Sequence, residues 1–125
     1  MVKSCKDLLV WQKSMVLVQE VYQATQPFPT YELYGLAGQM RRAAVSVPSN
    51  IAEGQARQSS AEFHHFLTVA YGSLAELDTQ VIIARELGYL TDETAKNVGD
   101  KIAEVGRMMN ALISQIAKKR TNNER

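Results

Sequence analysis

The sequence predicts an all-α fold, an antiparallel up-down-up-down four-helix bundle. Three observations carry that expectation. Apolar residues recur in alternating steps of three and four through four separate segments, which is the period of helices packed at shallow angles. The stretches QPFPT, GQARQSS and GYLTD, rich in turn formers, divide those segments. They are also short, and short connections make sequential helices antiparallel neighbours. Together the segments form one domain spanning residues 1–125, with helices of roughly 30 Å for about 20 residues each.

The first segment, about residues 7–25, places Leu8, Trp11, Met15, Val18 and Tyr22 on one stripe. That choice leaves Val10, Val16 and Leu17 as an exposed apolar remainder, read as extra core or a contact surface. The second segment, about 31–54, carries Leu33, Ala37, Met40, Ala44, Val47 and Ile51. Pro48 removes a hydrogen bond to the Ala44 carbonyl and bends the helix. The stripe nevertheless runs on to Ile51, so one kinked helix ending near Gly54 is expected. Arg42, Ser46, Ser49 and Glu53 share the opposite face. Arg42 and Glu53 stand about 16 Å apart along the axis, too far to pair with each other. Gly38, Val45, Pro48 and Ala52 make a compact row that another helix can approach, interrupted by Arg41.

In the third segment, about 60–87, Phe63, Leu67, Ala70, Leu74, Leu77, Val81 and Ala84 keep the same rhythm. Ser59 and Glu62 have capping-box spacing at its start, and Gly88 is placed to close it. FHHFLTVAYGSLA, residues 63–75, contains no Asp, Glu, Lys or Arg. Its face away from the stripe presents Thr68, Gly72, Ala75, Thr79 and Ile83, where a solvated helix normally shows charge. Self-association through that face is the expectation. Thr91, Asp92 and Glu93 open the fourth segment, about 92–119, with acids where the helix dipole favours them. Ala95, Val98, Ile102, Val105, Met109, Leu112 and Ile116 form its stripe. Residues 118–125, KKRTNNER, read as a frayed basic tail.

The composition is that of a globular domain, with 46% apolar and 22% charged residues. One cysteine, Cys5, forms no internal disulfide, and the N-terminal segment is broken by Gln12, Lys13 and Ser14. Neither a secretory leader nor a membrane span fits, so a cytoplasmic protein without membrane contact is expected. The net charge of +1 is uneven. Residues 106–125 hold five basic side chains against one acid, and the other 105 residues are net acidic by three charges.

QMRRAAVSVPSNIAEGQARQSSAEFHHFLTVAYGSLAELDTQ resembles the core signature of the bacterial four-helix-bundle proteins encoded in 23S rRNA intervening sequences. DLLVWQKSMVLVQEVY and ARELGYLTDE extend the likeness over roughly residues 7–93. The resemblance implies a left-handed bundle assembled into a homo-oligomeric ring, a homopentamer. It also implies similarity to the accessory protein of diversity-generating retroelements, a nucleic-acid and reverse-transcriptase binder with a far more basic surface. Its signature positions fall on Arg41, Arg42, Ser46, Pro48, Asn50, Glu53, Gly54 and Arg57, continuing through Gly72, Ser73 and Glu76.

Two functional classes follow. In the first, an oligomeric bundle touches structured RNA or DNA without catalysis. Arg41, Arg42, Arg57, Lys118, Lys119 and Arg120 supply phosphate contacts, which a ring multiplies. The competing structural role for Arg41 and Arg42 is pairing with Glu53, Glu76 or Asp78 on neighbouring helices. In the second class, the ring is a scaffold for a protein partner. An enzyme is the poorest fit. Glu62 and His65 make one Glu-x-x-His, but a di-iron bundle needs two, and the one other histidine is the adjacent His64. No glycine-rich phosphate loop occurs, and no metal or cofactor is expected. Trp11, Tyr22, Tyr31, Tyr34 and Tyr71 read as packing residues, since base stacking requires exposure beside the arginines. Pro48, Asn50, Glu53 and Gly54, with Thr68, Gly72, Ala75 and Thr79, are the expected interface set.

Overall fold

The computed structural model describes residues 4–123, with side chains through Arg120. Four helices account for most of the chain: α1 Leu9–Thr25, α2 Leu36–Ala56, α3 Ser60–Glu86 and α4 Asp92–Asn123. Single 3₁₀ turns precede α1 at Cys5–Asp7 and α2 at Thr30–Glu32. Each helix packs on its sequence neighbours, and α1 closes the bundle against α4. No strand occurs among the described residues. The all-α four-helix bundle expected from heptad spacing is the fold observed.

Helix ends follow from local chemistry. The Ser59 hydroxyl accepts from Glu62 N at 3.4 Å, and Thr91 Oγ1 accepts from Thr94 N at 3.1 Å, opening α3 and α4 respectively. Gly88, at φ +80°, closes α3. Its own N–H reaches Arg85 O at 3.0 Å while Tyr89 N reaches Ala84 O at 2.9 Å, the paired bonds of a Schellman ending. At the corresponding point after α2 the left-handed position falls on Gln58, at φ 58°.

The second helix starts later than periodicity suggests, at Leu36 rather than near residue 31. Pro27 and Pro29 hold the chain in turns, and the Glu32 carboxylate then caps the helix, its Oε1 accepting from Leu36 N at 3.0 Å. The stripe position Leu33 therefore precedes α2 and is exposed. From Leu36 to Ala56 the helix is continuous through the buried Pro48. The last helix is longer than expected. Lys118 to Asn123, read as frayed tail, continue α4, while residues 124–125 lie outside the described residues.

The core combines the expected stripes of α2, α3 and α4 with a different one from α1. Leu67, Ala70, Leu74, Leu77, Val81 and Ala84 are buried on α3, as are Ala95, Val98, Ile102, Val105, Met109 and Ile116 on α4. In α1 the seam runs through Val10, Ser14, Leu17, Val21 and Thr25, one residue ahead of the predicted stripe. Met15 and Tyr22 are 37% and 42% exposed, whereas Val10 and Leu17 are 4% and 0%. Only Val16 of the supposed remainder faces solvent. The cause is polar: Ser14 and Thr25 sit in the seam and look like surface residues in a hydrophobic pattern. Each hydroxyl bonds a carbonyl of its own helix at 2.8 Å, Ser14 to Trp11 and Thr25 to Val21. A hydroxyl satisfied this way is buried without an orphan donor.

Candidate nucleic-acid interface

The six proposed phosphate-contacting residues divide between the two ends of the bundle. Arg57 follows the C-terminus of α2, and Lys118, Lys119 and Arg120 lie near the C-terminus of α4. In this antiparallel arrangement both termini reach the same end. Arg41 and Arg42, one to two turns into α2, lie toward the other.

Their environments differ more than their positions. Arg57 is neutralised: Glu53 Oε1 lies 2.8 Å from its Nη2, and Glu62 Oε1 lies 3.8 Å from Nη1. The Glu53 hydrogen bond and charge hold its guanidinium above the ordinary arginine value, and the group also stands 5.3 Å over the Phe66 ring. That cluster clamps the α2–α3 corner and leaves little free positive field. Lys118 and Lys119 are exposed and Arg120 is half-buried, with no ion pair to a described residue.

Arg41 is held by neutral groups. Its Nε donates to Thr25 Oγ1 at 2.8 Å, and its guanidinium stands 4.9 Å over the Tyr22 ring. Arg42 makes no ion pair with any described residue. The expected pairing of these two arginines with Glu53, Glu76 or Asp78 is therefore not formed: Glu53 is occupied by Arg57, and Glu76 Oε1 accepts from Gln80 Nε2 at 3.4 Å. Both charges remain available. Tyr22, Tyr34, Gly38 and Val45 border the same open groove of ≈ 620 Å³ as the two arginines. Tyr34 is 90% exposed. Sequence reasoning set these tyrosines aside as packing residues, and the mistaken α1 stripe is what concealed Tyr22. A detectable sign was the position of Tyr34 in a Pro- and Gly-flanked connection, outside any stripe.

The compact row on α2 is mixed in its surroundings, with Val45 39% exposed. Gly38 and Pro48 are buried and Ala52 half-buried, and Arg41 in the same row bonds Thr25 of α1. The other flank of α2 meets α3 through a polar seam. Ser46 Oγ and Ser73 Oγ lie 2.8 Å apart, and Asn50 Nδ2 donates to the Ser46 carbonyl at 2.8 Å and its hydroxyl at 2.9 Å. At Gly54 the two helices touch so closely that a Cβ there would lie 2.8 Å from Phe66 Cβ and 3.0 Å from Phe63 Cδ1.

On α3 the residues Thr68, Gly72, Ala75 and Thr79 are all exposed, and Ile82 and Ile83 extend that uncharged surface. Glu62 is engaged by Arg57, and His65 packs edge-on against Phe66 at 5.2 Å. Among the described residues no group of three or more His, Cys, Asp or Glu could hold a metal ion. No helix among them is long and apolar enough to cross a membrane.

The family model of the 23S rRNA-intervening sequence protein matches residues 6–111. The chain belongs to that family. A crystal structure of a protein of unknown function from the S23 ribosomal protein family of Bacteroides thetaiotaomicron VPI-5482 has the same fold. It superposes with a TM-score of 0.79 at 20% identity, covering 85% of this chain and 96% of that one. No curated protein matches. The signature residues Ser46, Asn50, Gly54 and Ser73 build the α2–α3 seam, and Glu53 with Arg57 closes its corner. Of the charged signature residues, Arg41, Arg42 and Glu76 form no ion pair with any described residue.

Proposed function

We propose that the protein is a non-catalytic, cytoplasmic, oligomeric bundle that associates with structured RNA or other nucleic acid. The observation that carries this reading is the state of Arg41 and Arg42. One is positioned by a hydroxyl and an aromatic ring, the other lacks an ion pair to any described residue, so neither charge is cancelled by a neighbouring carboxylate. Phosphate is the natural counter-charge for such a pair, since arginine presents a planar fork to it. The basic end of α4 adds Lys118, Lys119 and Arg120. Each protomer offers few contacts, and repetition around a ring raises the avidity.

Assembly is proposed on separate support. The uncharged row from Thr68 to Thr79 with Ile82 and Ile83 gives α3 an outer face that copies of the chain can cover, and the family likeness suggests a homopentamer. The test is binding of a folded RNA at several salt concentrations. Affinity is expected to fall with salt. Arg41→Gln with Arg42→Gln should weaken binding and flatten the slope by about 0.9 for each phosphate of a duplex segment that is no longer neutralised. Salt-insensitive binding, or none near about 100 mM salt, would remove this reading.

A further inference from the structure

The groove beside Arg41 and Arg42 has the parts of a nucleotide site, with Arg41 and the backbone that carries Tyr34 fixed before any ligand arrives. Tyr34 projects from a connection fixed by successive turns: Glu32 N bonds Pro29 O at 2.9 Å, Leu33 N bonds Thr30 O at 3.1 Å and Gly35 N bonds Glu32 O at 3.0 Å. Glu32 in turn anchors the connection twice, accepting from Leu36 N with one carboxylate oxygen and from the Tyr89 hydroxyl at 3.0 Å with the other. The backbone that carries the ring therefore needs no ordering when the ring stacks.

The floor is equally specific. A Cβ at Gly38 would stand 2.6 Å from the Leu33 carbonyl and 3.2 Å from Arg42 Nη1. Glycine is therefore what lets the turn and the guanidinium of Arg42 lie against the helix surface. Arg41, fastened through Nε to Thr25, keeps its terminal nitrogens for a ligand. The groove thus joins an exposed aromatic face, a small apolar floor and two unneutralised guanidinium groups within ≈ 620 Å³, a volume that holds a nucleotide.

We propose that this groove receives an unpaired base of a single-stranded nucleic-acid segment, stacked on Tyr34, with the adjoining phosphates on Arg41 and Arg42. The inference rests on the nucleic-acid reading above and goes further by naming the strand state. A duplex keeps its bases inside the stack and offers Tyr34 no free face, whereas a single strand or loop does. The groove is open, so a strand can enter and leave it, unlike an enclosed mononucleotide pocket.

The experiment measures anisotropy of a short labelled unstructured RNA, the same sequence as DNA, and the corresponding RNA duplex, each from about 50 to about 200 mM salt. The single strands are expected to bind more tightly than the duplex, and the tighter of the two sugars identifies the natural strand. Tyr34→Leu is expected to weaken single-strand binding about tenfold without changing the salt slope, while Tyr34→Phe retains it. Arg42→Gln should instead flatten the slope by about 0.7. Equal affinity for duplex and strand with no effect of Tyr34→Leu overturns the groove assignment and leaves general nucleic-acid binding standing. Absence of salt-dependent binding to all three probes removes both. If Tyr34→Leu lowers the mass of the nucleic-acid-free protein in light scattering and leaves strand binding intact, the groove seats another copy of the chain and the assignment is overturned.

Discussion

Gly54, Gly88 and Gly99 show how one missing side chain has opposite consequences in different surroundings. At Gly54 a methyl group would meet Phe66 Cβ at 2.8 Å, an atom fixed to backbone and unable to rotate away. Gly54→Ala gains about 1 kcal/mol of helix propensity but has to separate α2 from α3. Such overpacking costs about 1–3 kcal/mol, so a net loss of stability in urea titration is expected, larger for Gly54→Val. Inside α4, a methyl group at Gly99 would meet nothing within 4 Å. Gly99→Ala should therefore raise stability by about 1 kcal/mol. Gly88 already occupies its left-handed position well, and Gln58 occupies the equivalent one at a cost. Gln58→Gly is expected to stabilise by about 0.5–1 kcal/mol, visible as a higher urea midpoint at unchanged slope.

Among the elements, α1 and the turn leading from it decide how the bundle closes. Ser14 is fully buried, and its hydroxyl serves only its own helix. Ser14→Ala should change stability by less than about 1 kcal/mol, while Ser14→Leu should lose about 1–3 kcal/mol by overfilling the seam. A surface serine would show neither asymmetry. The turn carries a pH signature. Tyr89 lies against Phe28 with ring centroids 5.3 Å apart, and its hydroxyl meets Tyr31 at 3.3 Å and Glu32 at 3.0 Å. The Tyr31 hydrogen bond, burial and the Glu32 carboxylate together push its titration well above the ordinary value of 10.0. The neutral phenol is favoured in the folded chain. Its contribution is complete below about pH 10 and is lost as pH rises through the folded-state value. The urea midpoint should accordingly fall on going to strongly alkaline pH, and Tyr89→Phe should remove part of that fall while lowering the midpoint at neutral pH.

For the whole molecule, the uncharged outer face of α3 governs the expected assembly. A charge placed there, as in Ala75→Asp, sits at an exposed position and should leave the helical content unchanged. Assembly through that face predicts a lower mass by light scattering for Ala75→Asp and a thermal midpoint that rises with concentration for the wild type, by mass action. Equal masses for both proteins across concentrations would count against it.

Legible along the chain alone were the class of fold, the stripes of α3 and α4 and that of α2 from Ala37 onward, and the caps at Ser59, Gly88 and Thr91. These depend on periodicity and on contacts within a few residues, and both are written locally. The sequence also located the arginines, but not their condition. That Ser14 and Thr25 belong to the seam of α1 emerges only once the helices are packed together. Packing brought Thr25 and Tyr22 to Arg41 and Ser73 to Ser46, and set Tyr34 in one groove with Arg42. Each of those facts depends on which side chain from a distant segment arrives nearby, and a hydroxyl or a charge reveals its role only when that partner is in place.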